Sequence, residues 1–304
     1  MRPPSVTVLC YTYNHADYIR DCLAGILDQV GDYQMQLIVR DDCSLDGTRE
    51  IVREFAEEHP GVVVPILEEV NRWPCLKPLV AVRPHVAGDY LAFCEGDDFW
   101  TDPNKLQTQV AALERDPGAS SSFHQLLERD CTTGQQAPIW SLEDGATLGK
   151  ADLLHPRTVL PTSALVMRNY ADLPFGYANL APNFDGFLTA FLGTKGYARY
   201  EGSVTPSVHR IHDRGVRSAG SLVSRDLDSL LSHYWIAEYL VSCGLQEEAA
   251  EHLGLAARIT SMGELGRLTG HPMKRAWLQS LSRYGLSRAK EQALRARRLL
   301  PGKR

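Results

Sequence analysis

The sequence predicts an α/β protein: a mainly parallel sheet covered on both faces by helices, followed by a purely helical C-terminal region. Three observations carry this expectation. Over residues 5–102, short apolar runs rich in β-formers alternate with segments of helical periodicity. Those runs are continuously apolar, as expected for strands buried on both faces. From about Ser224 the strand signals cease and only helical spacing remains.

SVTVLCYT (5–12) is the first strand, and residues 16–30 then place Ile19, Leu23, Ile26, Leu27 and Val30 at helical spacing. MQLIVR (35–40) is the second strand. A helix follows over about 46–58, opened by the turn and cap signal Ser44-Leu45-Asp46-Gly47. VVVPIL (62–67) is the third strand, a helix falls within 76–86, and DYLAF (89–93) is the fourth strand. A helix over 103–115 leads into an irregular middle. There ASSSFH and LPTSALVMR are candidate strands extending the sheet. A short helix at FDGFLTAFLG (184–193) and a strand pair, YARYEG with TPSVHRIH, close this part. Leu227, Leu230, Leu231, Tyr234, Ile236 and Leu240 begin the helical tail, which runs to Leu300. Gly244, Gly263, Gly270, Pro272 and Gly285 divide it into short helices.

The composition is that of an ordinary globular protein: 304 residues, 44% hydrophobic, 23% charged, net charge −5. A negative balance argues against a nucleic-acid partner. One region departs from it. From Lys274 onward ten Lys and Arg face a single acid, Glu291. The start, MRPPSVTVLCYTYN, has one basic residue and too short an apolar core for a secretory signal. No run approaches the roughly 18 apolar residues of a membrane span. Seven cysteines, an odd number without a C-x-x-C pair, read as a reduced, cytoplasmic chain with neither a disulfide framework nor a zinc site. Cys10 and Cys94 sit inside apolar strand candidates, where cysteine acts as a small hydrophobe.

In parallel sheets, ligands bind outside the carboxyl ends of the strands. That rule puts YTYN, RDDCS and CEGDD on one rim, carrying Asp41, Asp42, Glu95, Asp97 and Asp98. Like charges gathered there call for a cation or hydrogen-bond donors. A hard divalent ion with oxygen ligands, shared with phosphates, suits such a rim.

The motifs YTYNHADYIRDCLAGILDQ, RDDCSLDGT, AGDYLAFCEGDDFW, FDGFLTAF and HRIHDRGVRS occur in an order that resembles glycosyltransferase family 2, the inverting bacterial-type enzymes with the GT-A (Rossmann-like) fold. The resemblance covers roughly residues 5–220. It implies a GT-A catalytic domain over 1–222, with a nucleotide-sugar half at about 1–101 and an acceptor half at about 102–222. The helical region, 223–304, lies outside it. The implied activity is metal-dependent, inverting transfer from a nucleotide-diphosphate sugar, UDP before dTDP, to a hydroxyl of a glycan, glycolipid or natural product.

The resemblance assigns each position a role. Asp42 accepts the N3–H of the nucleobase, with Asp41 supporting its loop; Thr12 and Tyr13 line base and ribose. Asp97 faces the ribose or helps hold the ion, and Asp98 ligates Mn²⁺ or Mg²⁺ on the diphosphate, with His212 completing the metal shell. Asp185 is the general base that takes the acceptor proton. Glu95, Lys77, Arg217 and Trp100 are further candidates for diphosphate or sugar contacts. Glu95 stands where the family often has aspartate, and Phe184 where glutamate or glycine often precedes the base. His209 and His212 lack the cysteines or helical H-E-x-x-H frame of a zinc site.

Two alternatives stay open. A sugar nucleotidyltransferase of the same architecture has a glycine-rich loop after its first strand, and YTYNHADY has no glycine. GATLGK (145–150) is one residue short of a P-loop and lacks its Ser/Thr. A catalytically inactive binding scaffold is the other alternative; it is weakened by the presence of Asp98 and Asp185. The basic, partly amphipathic segment RYGLSRAKEQALRARRLLPGKR leaves two partners in view: the inner face of a membrane, or a second copy of the chain.

Overall fold

The computed structural model describes residues 2–73, 76–213 and 222–262. The strands are β1 (Ser5–Thr12), β2 (Gln34–Asp41), β3 (Val63–Leu67), β4 (Tyr90–Glu95), β5 (Ala119–Phe123), β6 (Leu126–Asp130), β7 (Gln136–Pro138), β8 (Thr147–Leu148), β9 (Leu165–Arg168), β10 (Tyr197–Tyr200) and β11 (Ser207–Ile211). The helices are α1 (Ile19–Leu27), α2 (Thr48–Glu58), α3 (Pro78–Val82), α4 (Lys105–Arg115), α5 (Lys150–Leu154), α6 (Phe175–Leu180), α7 (Phe184–Lys195), α8 (Leu222–Ser242) and α9 (Gln246–Met262).

Eight strands form one sheet in the order β3-β2-β1-β4-β9-β5-β10-β8. The half formed by β3, β2, β1 and β4 is parallel; β9 runs antiparallel to both β4 and β5. The expected α/β class with a mainly parallel, helix-covered sheet is what the chain adopts. Alternate residues of one strand feed different cores. Leu9 and Phe93 join Phe187, Phe191, Ile236 and Leu240 on one face. Val8, Cys10 and Cys94 join Ile19, Leu23, Val52, Leu106 and Leu113 on the other. Both faces are dry, so the strands read as continuous apolar runs. Each fully buried aliphatic side chain contributes about 1.5–3 kcal/mol.

One expectation is corrected. YARYEG and TPSVHRIH do not pair with each other: β10 lies parallel to β5 and β11 parallel to β6. The two segments run in the same direction, one after the other, alongside 119–130. A parallel pair between them would need a long crossover, and only residues 201–206 separate them. β11 therefore builds a second, three-stranded sheet, β11-β6-β7.

The helical region is joined to the same core. Tyr239 of α8 stacks against Phe187 and Phe191 of α7. Gly244, at φ +79°, reverses the chain into α9. The basic segment and the helix divisions expected beyond Met262 lie outside the described residues. No helix among the described residues is long and apolar enough to cross a membrane.

Candidate active site

β1 lies between β2 and β4, so the strand order reverses beside it and a crevice opens at the carboxyl ends. The three motif loops meet there. The Asp42 amide donates to the Thr12 carbonyl (3.0 Å), and the Gly96 amide to the Tyr11 carbonyl (2.7 Å). A Cβ on Gly96 would lie 2.7 Å from Thr12 Oγ1 and 2.9 Å from Ile19 Cδ1, so only glycine permits this approach. Asn14, in the left-handed region at φ +55°, links the first two loops. Its amide donates to Ser44 Oγ (2.8 Å), and its side-chain oxygen accepts from the Leu45 amide (2.9 Å).

On the β2 side, Asp41 is fully buried and accepts the Ser44 amide (3.0 Å), shaping the RDDCS turn. Asp42 accepts Arg40 Nη2 (2.8 Å) and the Arg72 amide (3.0 Å) on Oδ1, and the Trp73 amide (3.0 Å) on Oδ2. Arg40, itself buried, also binds Glu68 (3.2 Å). Thr12 is buried, whereas Tyr13 is 43% exposed at the rim.

The acids after β4 divide by orientation. Asp98 points inward and is 2% exposed. Its carboxylate accepts Ser163 Oγ (2.7 Å) and the Arg210 amide (3.0 Å), and pairs with His209 Nδ1 (3.0 Å). Burial opposes the charged form of His209, but the Asp98 carboxylate outweighs it and the imidazole is lifted to about 9. Asp97 points the other way, with Oδ2 3.1 Å from His212 Nε2 and 3.6 Å from His15 Nε2. Burial pushes the Asp97 carboxyl up, yet the hydrogen bond with His212 and the neighbouring His15 leave it below the ordinary range. His212 stacks against Tyr18 (4.8 Å between centroids), and its Nδ1 is buried without a hydrogen-bond partner. Arg210 donates to the Asp97 carbonyl (3.0 Å), lies over Phe99 (4.3 Å), and reaches Asp21.

Glu95 accepts Thr162 Oγ1 (2.6 Å), and its carboxyl is pushed up to about 8 by burial and by the charges of Asp98 and Asp185. The acid of the acceptor half thus stands within electrostatic reach of the β4 motif. Asp185 sits in the first turn of α7, behind the N-cap Asn183, whose side chain accepts the Gly186 amide (3.1 Å). The cap belongs to Asn183, so Asp185 is not the residue that terminates this helix.

Thr12, Tyr13, Asp41, Asp42, Glu95, Asp97, Asp98 and His212 are gathered on this rim. Two candidates are not in contact positions. Trp100 is buried beneath the motif, its Nε1 donating to the Ser163 carbonyl (2.9 Å), because an indole fills core volume behind β4. Lys77 is buried as well and points at the Pro182 carbonyl (3.2 Å). Arg217 lies outside the described residues. Sequence reasoning passed over His15, Tyr18, Ser163 and Arg210, and weighed His209 only as a zinc ligand. His15 and Tyr18 stand in the quoted YTYNHADY loop, and His209 in HRIH. The partners that give them meaning lie far away in the chain.

A family model described as "Glycosyl transferase family 2" matches residues 7–172. An uncharacterized protein of Mycobacterium tuberculosis is 28% identical over 284 residues, 91% of this chain and 80% of that protein. The putative teichuronic acid biosynthesis glycosyltransferase TuaG of Bacillus subtilis is 33% identical over 130 residues, 42% of this chain and 50% of that protein. The crystal structure of S. aureus TarS 1-349 in complex with UDP-GlcNAc superposes with a TM-score of 0.64 at 16% identity, covering 84% of this chain and 72% of that one.

Proposed function

The chain belongs to glycosyl transferase family 2 and is a glycosyltransferase, and from that premise we propose that it transfers a sugar from a UDP-sugar to a hydroxyl of a glycan, with inversion, using Asp185 as base and a divalent cation. The observation that carries this is that Asp185 lies close enough for its charge to act on Glu95, at the carboxyl end of β4 where the strand order reverses. The UDP-GlcNAc held by the structurally similar TarS supports the donor class, and the name of TuaG supports a glycan acceptor.

Donor recognition falls to the β1 and β2 loops. Asp42 Oδ2 takes one hydrogen bond, from the Trp73 amide, so it keeps a lone pair for an imide N–H of the base. Tyr13 is exposed beside it as a wall for base or ribose.

The cation's place is argued from the donor set. Among the described residues, no three His, Cys, Asp or Glu side chains surround a common point. Asp97 and His212 meet at Oδ2 and Nε2, 3.1 Å apart, and offer two ligand atoms side by side. A small hard cation needs few protein ligands when a diphosphate and water complete its shell, so the pair fits Mn²⁺ or Mg²⁺. Asp98, the ligand implied by the family pattern, is instead saturated by Ser163, His209 and the Arg210 amide. We therefore assign the ion to Asp97 and His212, and to Asp98 the task of anchoring β11 beneath them. When bound, the cation offsets negative charge on the leaving diphosphate.

Asp185 removes the proton of the acceptor hydroxyl as that oxygen attacks the anomeric carbon. The bond to the diphosphate oxygen breaks on the opposite face, and the diphosphate leaves with the bonding pair. A well-placed general base contributes about 10²–10⁴ in rate. The test is nucleotide release from UDP-, dTDP- and GDP-sugars with Mn²⁺, Mg²⁺ or EDTA, alongside UDP binding by Asp185→Asn. Slow release from one UDP-sugar, lost with EDTA, is expected. Asp185→Asn should keep UDP affinity and lose transfer by about 10² or more once an acceptor is in hand. Release indifferent to EDTA, or full transfer by Asp185→Asn, would sink the corresponding assignment.

A further inference from the structure

Lys77 is a buried cation that the mechanism leaves unused. It is 2% exposed, and burial lowers the pKa of its ammonium, opposed by the charge of Asp228. Its Nζ lies 4.0 Å from the centroid of the Trp73 ring and donates to the Pro182 carbonyl (3.2 Å). The Lys77 amide donates to Asn179 Oδ1 (2.8 Å). Holding an ammonium out of water is costly unless its donors are used. Here they are spent on one backbone carbonyl, three residues before Asp185.

That carbonyl belongs to a segment held from several sides. The Asn183 amide donates to Ser232 Oγ of α8 (2.7 Å), and the Asn183 side chain caps α7 through the Gly186 amide. On the opposite side of Lys77, the Trp73 amide is fastened to Asp42 Oδ2. A continuous series of contacts thus leads from Asp42 through the Trp73 backbone and ring, to the Lys77 ammonium, to Pro182 and so to the first turn of α7.

We propose that Lys77 is a positioning residue that couples occupancy of the nucleotide site at Asp42 to the placement of Asp185. This inference rests on the reading of Asp42 as a nucleotide contact and Asp185 as the base. A base hydrogen-bonded to Asp42 takes the second lone pair of the oxygen that holds the Trp73 amide, and so bears on the backbone at Trp73. The Trp73 ring transmits that to Lys77, whose hydrogen bond to Pro182 orders the segment in front of the base. Donor binding and base alignment become one event, which favours chemistry only when the donor is seated.

The experiment measures amide hydrogen exchange at Gly186 and Phe187, without nucleotide and at saturating UDP, with a binding isotherm for each protein. In the wild-type chain UDP should slow exchange on the order of fivefold or more, the lower end of ordinary coupling between sites. Lys77→Met should bind UDP within about twofold of wild type and lose that slowing, and Lys77→Arg, which keeps a donor for Pro182, should retain part of it. Trp73 is 42% exposed, so Trp73→Ala keeps the test open if Lys77→Met does not fold, and it should lose the slowing too. Unchanged slowing in both Lys77→Met and Trp73→Ala would overturn the coupling while leaving the donor site intact. A tenfold or greater loss of UDP affinity in Lys77→Met would return Lys77 to direct donor contact, against the proposal, since truncating one charged contact has about that effect. Absence of UDP binding by the wild type would show in the isotherm and overturn the donor assignment itself.

Discussion

Replacing Asp98 with asparagine removes one negative charge and almost no volume. The amide oxygen can still accept from the Arg210 amide, and the Ser163 hydroxyl can turn to accept from the new NH₂. What is lost is the ion pair with His209, whose imidazole is lifted from its ordinary 6.5 to about 9. A group with a raised folded-state pKa adds stability that is fully present below the unfolded value and is lost as pH rises through the folded one. The window is therefore pH 6.5 to 9. Linkage over this shift gives about 2.5 kcal/mol at pH 7 and about 0.5 kcal/mol at pH 9. The first figure is an upper value, because the His209 side chain keeps 30% of its exposure and solvent screens the pair. Urea unfolding of wild type and Asp98→Asn at pH 6, 7, 8 and 9 reads this directly. The gap should be roughly 2 kcal/mol at pH 7 and nearly closed at pH 9. Asp97→Asn should differ by less than about 1 kcal/mol throughout, yet lose Mn²⁺ affinity. A gap independent of pH, or an Asp97→Asn protein as unstable as Asp98→Asn, would refute the division of labour between the two acids.

Gly96→Ala places a methyl group 2.7 Å from Thr12 Oγ1 and 2.8 Å from Thr12 Cβ. Overpacking of this kind costs about 1–3 kcal/mol, which a denaturant melt would register, and UDP binding should weaken with it. The α8–α9 junction carries a second pH response. His252 Nε2 donates to the Leu154 carbonyl, so its Nδ1 accepts from His233 Nδ1 (3.0 Å), and both rings are neutral. Burial lowers each from 6.5 to about 4, so the unfolded chain binds protons first and stability falls as pH drops from 6.5 towards 4. For His252 alone the loss at pH 5 is about 2 kcal/mol; a stability flat between pH 7 and pH 5 would contradict the pairing.

Much of the architecture was legible in the chain because its signals are local. The continuous runs 5–12, 35–40, 62–67 and 89–93 match β1 to β4 within a residue or two, since burial on both faces leaves few polar positions. The expected helix over 16–30 proved shorter, Ile19–Leu27; at its start the Asn14, His15 and Ala16 amides are spent on the side chains of Ser44, Thr48 and Asp46 at the entry to α2. The expected helix within 76–86 stops at Val82, two residues before Pro84.

The site divides in the same way. Placement of Asp41, Asp42, Glu95, Asp97 and Asp98 on one rim follows from sequence, because residues at the carboxyl ends of neighbouring parallel strands must lie side by side. Which carboxylate faces outward does not. Asp97 and Asp98 are adjacent and chemically identical, and only His212 and His209, 115 and 111 residues away, turn one towards the crevice and the other into the protein. Lys77 repeats the point: an exposed phosphate ligand and a buried tether look alike as a letter, and Pro182, 105 residues on, makes it the second. Periodicity records the face a residue lies on, which the sequence by itself determined. The direction of a polar side chain is decided by the partner that meets it, and that partner arrives only when distant segments pack.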